Sequence, residues 1–242
     1  MNIAVILAGG IGSRLGSDMP KQYIKVRNKP IIAYTLEKFQ VNNDIDCIEV
    51  ICGQGYIRYV KELSEKYGIK KLRWIVAGGD TCQASIRNGI FSLAGKCKPD
   101  DIVLLHMSVS PMITQKTISE AVRVCKEKGN AFAVQPCLFC MCKKDNDEWA
   151  DENAYKEDYW QVNMPWTLKF SEVYSLYREA EEKGMGEDIK SYTLSLMFDL
   201  GKRVYLFKDN AENRLKITTK EDLDLFEAYL ILEERRKAKE KE

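Results

Sequence analysis

Residues 3–16 read IAVILAGGIGSRLG, and PKQY follows at residues 20–23. The apolar run Ile3–Ala8 is typical of a strand that is buried on both faces. This strand ends at a loop with four glycines, where the backbone can approach a ligand closely and turn its N–H groups toward an anion. Arg14 and Lys21 add two cations to the same loop. The stretch therefore predicts a buried first strand followed by a polyphosphate-binding loop.

Two familiar phosphate loops do not fit this spacing. A P-loop needs Gly-x-x-x-x-Gly-Lys-Ser/Thr, whereas Lys21 lies five residues after the last glycine and behind a proline. The dinucleotide fingerprint needs Gly-x-Gly-x-x-Gly, whereas Gly10, Gly12 and Gly16 give one residue too many. A simple turn between strand and helix would explain the glycines alone. It would not explain the two cations beside them.

Composition excludes several classes of function. The chain has 242 residues, of which 45% are hydrophobic and 30% charged, and its net charge is +1. This balance gives no general attraction to nucleic acid or to an anionic membrane, so we expect neither as a partner. No apolar run approaches the ~20 residues of a membrane span, and no secretory leader is visible. We therefore expect a cytoplasmic protein with reduced cysteines.

Three of the eight cysteines, at positions 137, 140 and 142, form a C-x-x-C-x-C cluster. A zinc site would need further ligands, yet there is no second C-x-x-C, and the single histidine, His106, is more than 30 residues away. We therefore interpret these cysteines as packing residues and assign no metal ligands.

Strand patterns alternate with helical patterns through the first half of the chain. Strands are predicted at Ile3–Ala8, Cys47–Cys52, Arg73–Val76, Ile102–His106 and Ala131–Gln135. Helices are predicted at Ile31–Phe39, Tyr56–Tyr67, Cys82–Leu93 and Thr117–Lys128. This alternation predicts an α/β, Rossmann-like fold with a mainly parallel sheet flanked by helices. Ligands of such sheets bind beyond the carboxyl ends of the strands, which is where the glycine loop lies.

The alternation stops between Pro136 and Pro165. Two apolar strips, Cys137–Cys142 and Tyr159–Val162, flank a polar turn, which indicates a projecting β-arm inserted at about residues 137–163. Such an arm needs a surface to cover its apolar side chains, and a second copy of the chain is the expected partner. A disordered insertion is the alternative. We see no linker or repeat elsewhere and expect residues 1–242 to form a single domain.

Beyond the arm the patterns are shorter. Helices are predicted at Phe170–Lys183 and Ile189–Asp199, and a strand at Arg203–Phe207. A short strand should end at Lys216–Thr218, and Thr219 should open the last helix.

Five blocks of the chain, in order, resemble the sugar-phosphate cytidylyltransferases, the family that includes the 2-C-methyl-D-erythritol 4-phosphate and ribitol-5-phosphate enzymes. The blocks are residues 7–16 with 20–23, Gly78–Asp80 with Ser85 and Gly89, Leu105–His106 with Pro111, Val162 with Pro165, and Lys216–Thr218 with Glu221–Leu223. The first block is the most specific, and together they span nearly the whole chain. The resemblance implies the nucleotide-diphospho-sugar transferase type of fold.

The resemblance also implies a reaction: an enzyme that moves CMP from CTP to a small polyol phosphate or sugar phosphate, releasing pyrophosphate, with Mg²⁺ as cofactor. An acceptor phosphate oxygen attacks the α-phosphorus, so catalysis depends mainly on positioning and fixed positive charge. Arg14, Lys21 and Lys216 are the implied catalytic cations. Lys156, on the arm, would reach the acceptor phosphate across a homodimer.

The nucleotide-binding positions implied by the resemblance lie in the first two blocks. They are Ala8, Gly9, Gly10, Gly12, Gly79, Asp80 and Ser85. Backbone groups and the Ser85 hydroxyl would read the cytosine edge.

Four polar residues of the family are replaced in this chain. Met107 stands where an acid helps to place magnesium, Ser110 and Cys82 where arginines are usual, and Met164 where a threonine is usual. Tyr192-Thr193 also replaces an Asp-Asp pair. A thioether is no substitute for a carboxylate as a magnesium ligand. Met107, Ser110 and Met164 are nevertheless assigned to the acceptor site by position.

Three explanations of these changes stay open. The first is a different acceptor that suits a more apolar and aromatic pocket formed by Met107, Met164, Trp166 and Tyr192. The second is a slower enzyme in which the triphosphate and water hold most of the metal. The third is a catalytically silent relative that binds nucleotide or pairs with an active subunit.

Other classes of protein fit less well. A GT-A glycosyltransferase needs Asp-x-Asp after a central strand, but Asp145-Asn146-Asp147 lies in the turn of the arm. A pure interaction protein would have no use for Arg14 and Lys21 on a glycine loop.

Overall fold

The computed structural model describes residues 1–10, 19–144, 146–185, 193–210, 213 and 215–239. Its strands are β1 Asn2–Ala8, β2 Lys25–Val26, β3 Lys29–Pro30, β4 Cys47–Cys52, β5 Leu72–Ala77, β6 Ile102–Met107, β7 Asn130–Pro136, β8 Met141–Cys142, β9 Asn153–Ala154, β10 Trp160–Lys169 and β11 Leu206–Lys208. Its α-helices are α1 Ile31–Gln40, α2 Ile57–Lys66, α3 Cys82–Ser92, α4 Gln115–Lys128, α5 Phe170–Glu182, α6 Thr193–Asp199 and α7 Lys220–Lys239.

Seven strands form the main sheet, in the order β11-β7-β10-β6-β1-β4-β5. β1 pairs in parallel with β4 and β6, β4 pairs in parallel with β5, and β11 pairs in parallel with β7. Only β10 among these strands is antiparallel, and it lies between β6 and β7. The predicted α/β fold with a mainly parallel sheet is confirmed.

β1 shows why this sheet is covered on both sides. Ala4 and Ile6 belong to one buried cluster, which includes side chains of α1 and α4. Ile3 and Val5 belong to a second buried cluster, on the other face, which includes side chains of α3 and α5. Burying one such isoleucine contributes about 1.5–3 kcal/mol. The unbroken apolar run at the start of the sequence therefore places β1 in the middle of three layers.

The predicted elements of the first half are found to within about two residues of their expected ends. Gly68 and Gly129, with φ of +66° and +97°, follow α2 and α4, where glycine most easily adopts the left-handed region. The prediction of a short strand that ends at Lys216–Thr218 is wrong. That segment is irregular, and the Ile217 N–H donates to the Val109 carbonyl at 2.9 Å. The predicted start of α6, residues 189–192, lies outside the described residues.

The predicted arm contains the two-stranded hairpin β8–β9. Its large apolar side chains are exposed, with Phe139 at 84% and Trp149 at 58%. The second apolar strip has another position: β10 begins at Trp160 and pairs with β7, so this strip enters the main sheet. Pro165 lies inside β10 at a break in register between Asn163 and Trp166, where its missing N–H interrupts the ladder. The limits of the arm and the single domain stay predictions.

No helix in the described part of the chain is long and apolar enough to cross a membrane.

Candidate functional site

Four neighbouring strands end at the same edge of the sheet. Ala8 is in register with Cys52, Cys52 with Ala77, and Leu7 with Met107. The loops that follow β1, β5 and β6 therefore lie side by side. These loops carry most of the site residues predicted from the sequence.

Ser85 lies between the glycines of the loop after β1 and those of the loop after β5. Its hydroxyl accepts a hydrogen bond from the Gly79 N–H at 3.0 Å and lies 3.2 Å from the Gly79 carbonyl, to which it donates. A Cβ atom at Gly9 would lie 3.2 Å from Ser85 Oγ, and one at Gly78 would lie 2.8 Å away. A Cβ atom at Gly79 would lie only 2.6 Å from the Ala84 Cβ. Close packing against the start of α3 therefore favours glycine at positions 78 and 79, and Gly9 lies near the same Ser85 hydroxyl.

The beginning of α3 adds favourable electrostatics to this part of the site. Thr81 caps the helix, since its side chain accepts a hydrogen bond from the Ala84 N–H at 3.0 Å. The positive end of the helix dipole thus lies beside Gly79 and the exposed Asp80, as in many anion-binding sites.

The PKQY segment connects this region to the far end of the chain. The Gln22 amide donates to the Ala8 carbonyl at 2.6 Å and to the Gly10 carbonyl at 3.0 Å. Lys21 Nζ donates to the Ile217 carbonyl at 2.8 Å. Lys21 therefore lies next to the backbone that carries Lys216, although 195 positions separate the two lysines. The role of Gln22 was missed at the sequence level, where only its place in the motif was noted.

Two of the predicted loop residues, Gly12 and Arg14, lie outside the described residues.

A cavity of about 350 Å³ lies beside these loops. It is lined by Met107, Ser110, Val162, Asn163, Met164, Trp166, Leu194, Ser195, Asn213 and Lys216. The structure thus brings Met107, Ser110 and Met164, the predicted acceptor positions, together with Lys216. Trp166 was also expected in a more apolar pocket, and Val162 belongs to one of the family blocks. Asn163, Leu194, Ser195 and Asn213 were not predicted, because they belong to no recognisable motif.

His106 supports the loop that forms one side of the cavity. Its ring is fully buried, and Nε2 lies 2.9 Å from the Ser110 carbonyl, so this nitrogen carries the proton and donates. Desolvation lowers the pKa of His106 to about 4, which keeps the imidazole neutral near pH 7. The neutral ring therefore holds the Ser110 backbone in place.

The glycine loops after β1 and β5 form the nucleotide half of the site, and the cavity forms the other half. The two halves approach each other at Cys82, the first residue of α3. Desolvation raises the pKa of the Cys82 thiol, and the Lys216 ammonium opposes this rise. Cys82 thus stands within electrostatic reach of the cavity lysine, in the place of a family arginine.

Lys156 lies apart from these residues. It belongs to a short 3₁₀ turn on the arm, Lys156–Asp158, and does not line the cavity. Its predicted role across a dimer stays a prediction.

The magnesium implied by the resemblance does not find a set of protein ligands in the described residues. These residues contain no group of three or more His, Cys, Asp or Glu side chains able to hold a metal ion. Met107 offers the cavity a thioether in place of a carboxylate, and magnesium binds hard oxygen ligands. This part of the chain therefore does not fit an ion held mainly by the protein.

Comparison with known proteins gives consistent matches over almost the whole chain. The sequence pattern of the 2-C-methyl-D-erythritol 4-phosphate cytidylyltransferases matches residues 2–232. A ribitol-5-phosphate cytidylyltransferase of Lacticaseibacillus paracasei is 35% identical over 95% of this chain and 98% of that protein. One from Vibrio parahaemolyticus is 33% identical over 97% and 98%. A 2-C-methyl-D-erythritol 4-phosphate cytidylyltransferase of Clostridium acetobutylicum is 32% identical over 95% and 97%.

The fold is also found among solved structures. A 4-diphosphocytidyl-2C-methyl-D-erythritol synthase from Anaerococcus prevotii superimposes with a TM-score of 0.79 at 21% identity, covering 95% of each chain. At this identity the likeness concerns the fold alone.

Proposed function

The chain belongs to the 2-C-methyl-D-erythritol 4-phosphate cytidylyltransferase family, and we propose that it transfers CMP from CTP to ribitol 5-phosphate or a closely similar linear polyol phosphate. The observation that carries this proposal is the cavity in which Met107, Ser110, Met164 and Lys216 meet, beside the glycine loops. An acceptor in this cavity would lie next to a nucleotide bound at the ends of β1 and β5.

The proposed reaction is a direct displacement at phosphorus. A phosphate oxygen of the acceptor attacks the α-phosphorus of CTP, the bond to the oxygen bridging to the β-phosphate breaks, and pyrophosphate leaves with that electron pair. Negative charge is shared among oxygens around one phosphorus, so well-placed cations lower the barrier. Lys216 in the cavity and Lys21 beside its backbone are placed for this task. Arg14 is proposed as the third cation.

The nucleotide would be held by the nucleotide half of the site, where the glycine loops after β1 and β5 pack closely. Backbone groups of Gly9, Gly10 and Gly12 would contact the phosphates. Backbone groups of Ala8, Gly79 and Asp80, with the Ser85 hydroxyl, would bind the cytosine edge. The support is the close packing of Gly9 and Gly79 around Ser85, which leaves backbone rather than side chains facing the ligand.

The lining of the cavity favours an acceptor rich in hydroxyl groups. Among its described lining residues, Lys216 is the one charged side chain. Ser110, Ser195 and the two asparagines are neutral groups that combine donors and acceptors, as hydroxyl groups do. The relatives with 33% and 35% identity are both named for ribitol 5-phosphate. The polar lining fits the hydroxyl groups of either acceptor, and the names of these relatives favour a linear polyol over the branched methylerythritol.

We also propose that the arm forms a homodimer. Phe139 and Trp149 expose large apolar surfaces on the arm, and a second copy would cover them. Lys156 would then offer its charge to the acceptor phosphate bound by the partner. Magnesium would arrive with the triphosphate, and the reaction would take place in the cytoplasm.

Pyrophosphate release tests the proposal. Each of the four nucleoside triphosphates is offered with magnesium and with ribitol 5-phosphate, methylerythritol 4-phosphate or glycerol 3-phosphate. We expect pyrophosphate release with CTP and not with the other three nucleotides, and the fastest release when ribitol 5-phosphate is the acceptor. Faster release with methylerythritol 4-phosphate would overturn the acceptor assignment. No release with any pair would overturn the transferase itself and favour the silent relative.

A further inference from the structure

Gln22 is a buried side chain in the nucleotide half of the site, and it bonds to two backbone carbonyl groups at the end of β1. We propose that it is a positioning residue that holds the end of β1 in its ligand-binding shape before any nucleotide arrives. The proposal rests on the proposed function only in taking CTP as the ligand.

The contacts of Gln22 are made entirely to the backbone of the first loop. The side chain is 3% exposed, and its amide nitrogen donates to two carbonyl groups, those of Ala8 and Gly10. A primary amide has two N–H donors, so one side chain satisfies both carbonyls. Without Gln22 these two oxygens would have to find other donors or turn into the site, where they would repel phosphate oxygens.

The geometry of the peptide group gives this contact a direction. In a trans peptide the C=O and the following N–H point to opposite sides. The Ala8 carbonyl faces Gln22, so the Gly9 N–H points away from Gln22. Ser85 lies close to the strand end, since a Cβ atom at Gly9 would lie only 3.2 Å from Ser85 Oγ. The end of the strand is therefore bonded to the Gln22 amide and lies close to the Ser85 hydroxyl.

Gln22 is itself held firmly by its two neighbours. Tyr23 is buried and stacks on Tyr56, with ring centroids 4.6 Å apart, and meets Tyr59 edge-on at 5.0 Å. Lys21 is bound to the Ile217 carbonyl at 2.8 Å. Three consecutive residues thus contact three separate parts of the chain. A rigid base of this kind lets Gln22 order the loop in advance, which lowers the entropic cost of binding.

Gln22→Met and Gln22→Glu separate positioning from simple packing. Methionine keeps the length and apolar bulk of the side chain but loses both donors. Glutamate keeps the shape but turns a carboxylate toward two carbonyl oxygens. Gln40→Met is the matched control, because Gln40 also bonds to backbone, accepting from the Lys71 N–H at 2.8 Å, but at the opposite edge of the sheet.

Three measurements decide the outcome: the Kd for CTP by calorimetry, the KM values for CTP and acceptor, and ¹⁵N order parameters of Gly9 and Gly10 without ligand. For Gln22→Met we expect the Kd and KM for CTP to rise about tenfold, with the acceptor KM changed less than twofold and both order parameters lowered. For Gln22→Glu we expect a larger rise. Gln40→Met should match wild type in all three.

Unchanged CTP affinity with unchanged order parameters in folded Gln22→Met would overturn the proposal. Equal rises in both KM values would also overturn it, since they would indicate general loosening of the fold. Failure of the proposed function gives a different result: wild type that binds CTP but transfers to no acceptor. The calorimetric and relaxation measurements would then still decide the role of Gln22.

Discussion

The nucleotide half of the site and the acceptor cavity are built in different ways. The first consists of backbone and glycines packed so closely that one added methyl group at Gly79 would collide with Ala84. The second is an open space of about 350 Å³ lined by side chains from several elements. A surface made of backbone tolerates few substitutions, whereas a lining of side chains can change one residue at a time. Three of the departures from the family pattern expected from the sequence, at positions 107, 110 and 164, fall on this lining, and the fourth, Cys82, lies at the start of α3.

The largest effect should come from the cation in the cavity. Lys216→Met removes the charge that we propose stabilises the transition state, and we expect kcat to fall about a thousandfold. The Kd for CTP should change far less, since the nucleotide half is kept. Steady-state pyrophosphate release measures kcat, with Lys220→Met, an exposed lysine nearby, as the control. A fall below tenfold would remove Lys216 from the reaction.

Two buried titratable groups of the sheet, Glu49 in β4 and His106 in β6, should respond to pH in opposite directions. Glu49 accepts a hydrogen bond from Ser92 of α3 at 2.7 Å, and burial raises its pKa from 4.5 to about 7. Between these values the folded protein binds a proton that the unfolded chain has lost, so stability falls as pH rises. His106, with its pKa lowered from 6.5 to about 4, loses stability as pH falls through that range.

Urea unfolding of Glu49→Gln and wild type at several pH values tests this pair of groups. The free energy of unfolding of wild type, relative to that of the variant, should fall by about 3 kcal/mol from pH 4.5 to 7. For His106→Gln the difference should have the opposite slope. A flat result for Glu49→Gln would show that this carboxyl titrates normally in the folded protein.

A smaller effect should follow when a methyl group is added at Gly79, in the nucleotide half of the site. Gly79→Ala overpacks the contact with Ala84, and we expect a loss of about 2 kcal/mol in stability together with weaker CTP binding. Gly55→Ala is the matched control, because a Cβ there meets nothing within 4 Å. Thermal melting and calorimetry measure both quantities. If both alanine variants behave alike, close packing does not explain the glycine at position 79.

The smallest effect should be confined to the cavity. Ser110→Arg restores the charge usual in the family but fills space that a linear polyol would use. We expect the KM for the acceptor to rise about tenfold, the loss of roughly one good contact, with the KM for CTP unchanged. Ser171→Arg, at the exposed start of α5, controls for the added charge. A matching rise in the KM for CTP would show that the two halves are not independent.

The sequence by itself determined the parallel sheet, because long apolar runs such as Ile3–Ala8 can be satisfied only by burial on both faces. It also determined the glycine loop and the family, since the spacing of Gly9, Gly10 and Lys21 is a local property of the chain. Periodicity failed at β10, where Pro165 interrupts the ladder of a central strand, and at Lys216–Thr218, where the Ile217 N–H bonds to the Val109 carbonyl but the segment is irregular.

Only the tertiary structure decided how the site is assembled. Lys21 meets Ile217, and Gln22 meets Ala8, through contacts between a side chain and backbone carbonyls that leave no periodic signal in the sequence. The cavity likewise depends on β10 crossing between β6 and β7, which carries Met164 and Trp166 to Lys216. Contacts between residues far apart in the chain are a property of the folded topology, and local patterns do not contain it.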